Sequence, residues 1–156
     1  MKDPTARRFQ GRATRTGSTV RIPLPFDPAV AWGRRDRYHV TGTVNGSRFR
    51  GPLVPRGGGW FIERGPKSPG AAVLADGDAV TVEVWPEGPQ IGELAADIKE
   101  TLEARPQAKA AFEGLAQFYR KGWLQWIDAT KRRPDVRKKR IAEMVRLVEA
   151  GHKERP

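Results

Sequence analysis

The chain contains no cysteine and only two histidines, His39 and His152, among its 156 residues. Without cysteine it can form neither a disulfide framework nor a thiolate nucleophile. Protein zinc sites are built mainly from cysteine and histidine, so this small supply of ligands predicts no metal site. The triplet Gly57-Gly58-Gly59 resembles a phosphate-cradling loop only superficially, since no helix start with Lys-Ser or Lys-Thr follows it, and we expect no cofactor.

Long apolar runs are also lacking. No stretch approaches the ~18 apolar residues of a membrane span, and the N-terminus, MKDPTARRFQGR, lacks the apolar region of a signal peptide. We therefore expect a cytoplasmic protein with no membrane span. At 156 residues the chain is long enough for one good core or two small ones.

Positive charge, in contrast, is abundant. Lys and Arg number 29 against 18 Asp and Glu, which gives a net charge of +11 and favours polyanionic partners. The charge is most concentrated from Lys131 to Arg140, where seven of ten residues are basic. This basic run lies between a helix carrying Trp123 and Trp126 and a second helix that starts near Pro134. It joins stackable aromatic rings to concentrated positive charge, as an anion or nucleic-acid site does.

Hydrophobic periodicity divides the chain into two parts. Residues 1–87 alternate with a period of two and are interrupted by Gly and Pro, whereas residues 91–150 show helical spacing with few breakers. The divide falls at Pro86-Glu87-Gly88-Pro89. We predict a small β-barrel domain over residues 6–87 and a helical domain over residues 90–151, which is an α+β organisation.

The first domain is predicted to contain several short strands. Apolar and polar residues alternate from Val20 to Leu24 and again from Val80 to Val84. Asn45-Gly46 supplies the two positive-φ positions of a type I′ turn, so Tyr38 to Val44 should pair with Ser47 to Val54 as a hairpin. A short helix is expected between the first two strands, with its cap, first-position proline and terminal glycine at Asp27, Pro28 and Gly33.

The second domain is predicted to be a bundle of about four short helices. The first helix has an apolar stripe from Ile91 to Leu102 and ends before Pro106. Farther along, either Gly114 or Gly122 could separate two helices, and the pattern leaves both open. The last helix stops at Gly151. It turns four apolar side chains inward: Ile141, Met144, Val145 and Val148.

Two stretches of the chain resemble known bacterial families. The first consists of Val40-Thr41-Gly42-Thr43-Val44-Asn45-Gly46, then Phe49, Gly51, Leu53 and Pro55, with Gly77-Asp78 before the closing strand. It resembles a bacterial β-barrel domain of unknown function that is often followed by a second domain. The other stretch consists of Phe112, Leu115, Trp126-Ile127, Lys131, Arg137 and Arg140-Ile141. It resembles the helical family labelled bacteriocin-protection, associated with YdeI and OmpD.

The resemblance implies more about fold than about chemistry. The barrel domain is similar to the double-split barrels of bacterial transition-state regulators and antitoxins, many of which bind DNA as dimers, so the resemblance is compatible with a homodimer. The label of the helical family implies a link to survival of antimicrobial peptides rather than a defined reaction.

The apolar stripe of the last helix puts Arg137 on the inward face, one turn before Ile141, with Lys138 and Arg140 on its flanks. A buried guanidinium needs a partner, because an unpaired buried charge costs several kcal/mol or more. One alternative is a pair with an acid such as Asp128 or Glu113. The other is a bound carboxylate or phosphate in a site made of Arg137, Lys131, Trp126 and Arg140. The spacing of Trp123 and Trp126 fits a core stripe.

Three functions are consistent with these patterns. The first is a non-catalytic binding protein that contributes to tolerance of bacteriocins or other antimicrobial peptides, with an unidentified small anionic or peptide ligand. The second is a nucleic-acid-binding protein that uses the hairpin and the basic run, through Arg48, Arg50, Arg132, Arg133 and Lys139. In this second interpretation the patch beside the hairpin would also include Arg34, Arg35 and Arg37.

The third function is an enzyme acting on a small anionic substrate between the two halves of the chain. Tyr119 or His39 would then transfer protons, while Arg137 and Lys131 orient the substrate. No nucleophile, base and orienting group occur in a recognisable set, so we assign no catalytic residue.

Overall fold

The computed structural model describes residues 5–68 and 70–156, which divide into a strand unit and a helical unit. The strand unit comprises residues 5–34 and 38–86 within these ranges. The helical unit comprises Glu87–Pro156 together with Arg35–Arg37, a short piece of the strand-rich half of the sequence. The α+β class predicted from periodicity is confirmed.

Among the described residues, eight strands, one short α-helix and one 3₁₀ helix (Ala71–Val73) form the strand unit. In chain order the strands and the α-helix are β1 (Arg7–Arg12), β2 (Thr14–Thr16), β3 (Thr19–Pro23), α1 (Pro28–Trp32), β4 (His39–Val44), β5 (Ser47–Pro52), β6 (Val54–Arg56), β7 (Gly59–Arg64) and β8 (Ala79–Pro86). Among the described residues the strands form two four-stranded antiparallel sheets and do not close into one continuous barrel. Sheet 1 has the order β1-β8-β4-β5, and sheet 2 has the order β2-β3-β7-β6.

One apolar core is shared by the two sheets of the strand unit. The alternation along β8 buries Val80, Val82 and Val84 and leaves Thr81 and Glu83 on the other face. Val20 and Ile22 of sheet 2 belong to the same buried cluster, which also contains Trp32, Tyr38, Val40, Val44, Phe49, Leu53 and Ile62.

The predicted hairpin and the predicted short helix are confirmed. Asn45 and Gly46 have φ angles of 50° and 83°, and Val44 pairs with Ser47 across the turn. In α1 the carboxylate of Asp27 accepts a hydrogen bond from the backbone N–H of Ala29 at 2.9 Å. Periodicity missed β1, β2, β6 and β7. The triplet beginning at Gly57 belongs to the tight turn between β6 and β7, where Gly57 and Gly58 have φ angles of 56° and 84°.

The helical unit contains four α-helices, as the sequence predicts. They are α2 (Ala96–Glu103), α3 (Pro106–Glu113), α4 (Gln117–Asp128) and α5 (Pro134–Glu149). Gly114 ends α3, and Gly122 lies inside α4, which settles the alternative left open by the pattern. The stripe from Ile91 is not one helix, because a 3₁₀ turn at Ile91–Glu93 precedes α2.

The core of the helical unit is formed by the inward faces of all four helices. Its fully buried members include Leu102, Phe112, Trp123, Ile127 and Met144. Across the described ranges, no helix is both long enough and apolar enough to cross a bilayer.

Candidate functional sites

Arg137 lies in the second turn of α5 and is paired by two carboxylates. Its Nε and Nη2 donate to the two oxygens of Asp97 at 2.6 and 3.0 Å, and its Nη1 donates to Asp128 at 3.0 Å. Only 14% of the Arg137 side chain is exposed. The structure therefore shows the first of the two alternatives for Arg137, which is a pair with carboxylates of the protein itself. Asp128 is a partner that the sequence suggested, and Asp97, in the first turn of α2, is one that it did not.

The electrostatics of this group favour the charged form of both partners. Hydrogen bonding from Arg137 is the main cause that lowers the pKa of Asp97 below its usual value, although partial burial opposes it. Hydrogen bonds to Asp97 and then to Asp128 raise the pKa of Arg137. An anionic ligand at Arg137 would have to compete with these two carboxylates, so the small-anion site stays a prediction that this geometry does not favour.

A groove of about 410 Å³ opens beside this cluster, between α2 and α5. Thr101 of α2 and Ile141 and Ala142 of α5 line it, together with Asp97, Arg137 and Lys138. Two acids, Asp97 and Glu100, and two cations, Arg137 and Lys138, line the groove, so its formal charges balance.

Arg140 and Trp126 contact each other rather than Arg137. The guanidinium carbon of Arg140 lies 4.7 Å from the centre of the Trp126 ring, and its Nη1 donates to the Trp126 carbonyl oxygen at 2.6 Å. Trp126 is half-buried, whereas Trp123 is fully buried. Lys131 is exposed beyond the end of α4. Of the four predicted ligand-binding residues, Arg140 and Trp126 thus contact each other, Arg137 binds two carboxylates and Lys131 lies in solvent.

The other cations of the basic run are in solvent. Lys131, Arg132, Arg133, Lys138 and Lys139 are all exposed. None of these five forms an ion pair with any residue in the described ranges. Three of them follow the C-terminus of α4, where positive charge opposes the negative end of the helix dipole.

The solvent-facing side of sheet 1 carries a second group of exposed cations, which we name the arginine face: Arg8, Arg12, Arg48 and Arg50. Arg8 pairs with Glu83, which pairs with Thr43, which pairs with Arg48, so these four side chains form one row across the sheet. Three strand spacings separate its ends by about 14 Å. Glu83 is the acid of this row.

The next row of sheet 1 adds an aromatic ring to the arginine face. Thr41 pairs with Arg50 on one side and with Trp85 on the other, so all three side chains lie on the same side of the sheet. Trp85 is half-buried. Sequence reasoning found Arg48 and Arg50 but missed Arg8, Arg12 and Trp85, because the pairings of β8 with β1 and with β4 are long-range contacts.

A buried ionic cluster in the helical unit was also missed. Arg120 is fully buried, and its guanidinium donates to the carbonyl oxygens of Leu115 and Pro89, both at 2.9 Å, and to that of Glu113. Arg35 donates to the Glu113 carboxylate at 3.1 Å. Burial is the main cause that lowers the pKa of Arg120 to about 10. The nearby Arg35 charge adds to this effect, and Glu113 and Glu87 oppose it.

This cluster corrects two expectations. Arg35 does not join Arg34 and Arg37 in a surface patch, because its side chain is only 5% exposed and is bound to Glu113 and Gln90. Glu113 is consequently the partner of Arg35 and not of Arg137. The helical spacing could have indicated the position of Arg120, since within α4 it precedes Trp123 by three residues and Ile127 by seven.

The residues considered for proton transfer belong to different units. His39 is half-buried on β4, and Tyr119 lies on α4. The Tyr119 ring contacts Lys153, whose Nζ lies 5.9 Å from the ring centre, and the ring of Phe118, 5.4 Å away. Within the described part of the chain, no group of three or more His, Asp and Glu side chains is placed to hold a metal ion.

Comparison with protein families agrees with this architecture. The protein has a two-sheet unit followed by a four-helix unit, and cations are exposed on both. It is therefore a basic protein of the α+β class. Residues 7–84 match the domain of unknown function DUF1905, and because they are half of the chain, the protein belongs to this family. Residues 92–151 match the family described as bacteriocin-protection, YdeI or OmpD-associated. Both resemblances predicted from the sequence are confirmed. No curated protein matches the chain.

Proposed function

We propose that the protein is a non-catalytic binding protein that contributes to bacteriocin protection, and that its ligand is a polyanion of the nucleic-acid class. The description of the matched helical family supports the biological role. The arginine face carries the proposal for the ligand.

The arginine face has the features of a phosphate-binding surface. Arg8 and Arg48 are exposed at opposite ends of one row of sheet 1, and neither forms an ion pair with a described residue. Arginines of this kind are available for phosphate oxygens, which they can bind through two N–H groups at once. A sheet presents such side chains at fixed spacings, so several phosphates of one strand can be bound together.

Trp85 favours single-stranded over duplex nucleic acid. It lies on the same side of sheet 1 as Arg50, with Thr41 between them. Unpaired bases stack on aromatic rings while arginines hold the backbone, whereas the bases of a duplex are already stacked. The exposed cations of the basic run would add phosphate contacts to the helical unit.

The test is equilibrium binding of the whole protein to a labelled single-stranded oligonucleotide and to its duplex. With about five phosphate contacts, the affinity for the single strand should fall about 100-fold between ~50 and ~200 mM salt. Replacing Trp85 with Leu should weaken binding to the single strand more than binding to the duplex.

Two outcomes would contradict the proposal. One is the absence of binding at low salt, and the other is an affinity that does not change with salt. A combined Arg132→Ala, Arg133→Ala, Lys139→Ala variant separates the contributions of the two units. If it reduces the affinity and the salt dependence, the basic run takes part in binding. If it changes neither, the arginine face binds alone.

A further inference from the structure

Residues 151–156, here named the return segment, follow α5 and fold back onto α4. Gly151, with a φ of 99°, ends α5, and the backbone N–H of His152 donates to the carbonyl oxygen of Leu147 at 2.9 Å. The carbonyl oxygen of Lys153 then accepts a hydrogen bond from Nε1 of Trp123 at 2.8 Å. The return segment therefore lies along α4 as a non-helical piece of chain.

Trp123 requires such an acceptor. Its side chain is fully buried, and a buried indole N–H is normally paired. The acceptor here is a main-chain carbonyl, which any extended peptide can supply. The hydrogen bond from Trp123 therefore recognises a backbone carbonyl, whichever residue supplies it.

The return segment is held by few contacts. All six of its residues are exposed, so it buries little surface of its own. Hollows of about 690 and 270 Å³ border it, the larger toward Leu147 and Glu143 and the smaller along Phe118 and Gly122. Room for a ligand larger than the segment is thus present beside it.

We propose that this surface of α4 is a binding site for an extended cationic peptide from another protein, and that the return segment occupies it until such a peptide displaces it. This site is distinct from the arginine face, and the inference does not depend on nucleic-acid binding.

The preference for a cation follows from the side chains at the site. Lys153 places its ammonium group 5.9 Å from the centre of the Tyr119 ring, whose negative face attracts cations and repels carboxylates. Phe118, 73% exposed, packs edge-on against that ring and widens the aromatic surface. Glu143, whose carboxylate lies 3.7 Å from Arg146, borders the larger hollow, and Lys121 borders the smaller one. A cationic peptide that displaced the return segment would therefore make the contacts that Lys153 makes.

The net charge of +11 gives this site a salt dependence opposite to that of nucleic-acid binding. A cationic peptide is repelled by the protein at long range, and salt screens that repulsion. Its affinity should therefore stay constant or increase when salt is added, whereas the affinity for a polyanion should decrease.

The experiment uses the full chain with ¹⁵N-labelled tryptophan, so that the indole N–H of Trp123 can be followed by NMR. The probe is an acetylated peptide with the sequence of residues 151–156, and a matched peptide carries glutamate in place of its lysine. The Lys153→Glu variant weakens the intramolecular contact with Tyr119. This variant should bind the probe about tenfold more tightly than the unmodified protein, which is the factor expected if the segment is closed about nine-tenths of the time.

Controls make each outcome informative. Lys138→Glu produces the same change of net charge at an exposed position of α5 and should leave probe binding unchanged. The glutamate peptide should bind at least about fivefold more weakly than the probe. The inference is overturned if the Trp123 signal responds to neither peptide in the Lys153→Glu protein or in a chain lacking residues 152–156. Equal binding of the two peptides, or equal affinity of variant and unmodified protein, would also overturn it.

Discussion

The buried cluster of the helical unit and the arginine face of the strand unit use arginine in opposite ways. In the helical unit, Arg120 and Arg35 are buried, and their guanidinium groups are satisfied by carbonyl oxygens and carboxylates. In the strand unit, Arg8 and Arg48 are exposed on sheet 1, and neither forms an ion pair with a residue in the described ranges. The same residue type is therefore structural in the buried cluster and available for a ligand on the arginine face, and net charge alone cannot tell the two uses apart.

Removal of Arg120 should give the largest effect. Arg120→Met would leave three carbonyl oxygens without their donor and would remove a buried cation that lies near the Glu113 and Glu87 carboxylates. Breaking a buried charged group in this way should lower the free energy of unfolding by about 3–5 kcal/mol. Urea denaturation measures this loss for Arg120→Met and for Arg120→Lys, which keeps the charge. A loss below about 1 kcal/mol for Arg120→Met would show that the cluster is not structural.

Removal of the Glu113 charge should have the second largest effect. Glu113→Gln leaves the buried Arg35 without its carboxylate and should cost about 1.5–3 kcal/mol of unfolding free energy. In the double variant Arg35→Gln, Glu113→Gln both charges are gone. We expect the double variant to lose less stability than the sum of the two single variants. Additive losses would mean that the two side chains do not interact.

Arg137→Gln should have a smaller effect that depends on pH. Asp97 is about half-exposed, so its pair with Arg137 should contribute no more than about 1 kcal/mol at neutral pH. Because the folded-state pKa of Asp97 is lowered, this contribution is present above the unfolded pKa of about 4 and is lost as pH falls through the folded value. The difference in unfolding free energy between the variant and the unmodified protein should therefore be present at neutral pH and should shrink as the pH falls. A difference that grows toward acid would contradict the pairing.

Substitutions in the arginine face should have the smallest effect on stability. Arg8→Ala and Arg48→Ala remove exposed side chains without an acid partner among the described residues, so each should change the unfolding free energy by less than about 0.5 kcal/mol. Thermal or urea denaturation checks this. A larger loss would indicate that the arginine face stabilises sheet 1 and is not reserved for a ligand.

Features with a local cause could be predicted from the sequence. The turn at Asn45-Gly46, the cap at Asp27 and the last helix from Pro134 depend on residues within a few positions of each other, and all three are present in the structure. β1 and β7 could not be predicted, because their residues do not alternate cleanly and their pairing depends on distant strands.

The candidate sites show the same limit more sharply. The inward position of Arg137 follows from helical spacing, but its partner Asp97 lies 40 residues earlier in the chain. The burial of Arg35 depends on Glu113 of α3, to which no local pattern connects it. Sequence therefore located the cations, whereas their availability for a ligand depends on tertiary contacts.

The most direct test of the distinction between available and paired arginines is the salt dependence of single-stranded nucleic-acid binding by two variants. Because each phosphate contact contributes about 0.7 to the slope of log affinity against log salt, the Arg8→Ala, Arg48→Ala protein should lose about 1.4 from that slope. Arg137→Gln, which removes a paired arginine, should leave the slope unchanged. Equal slopes for the unmodified protein and the arginine-face variant, or a reduced slope for Arg137→Gln alone, would contradict the assignment.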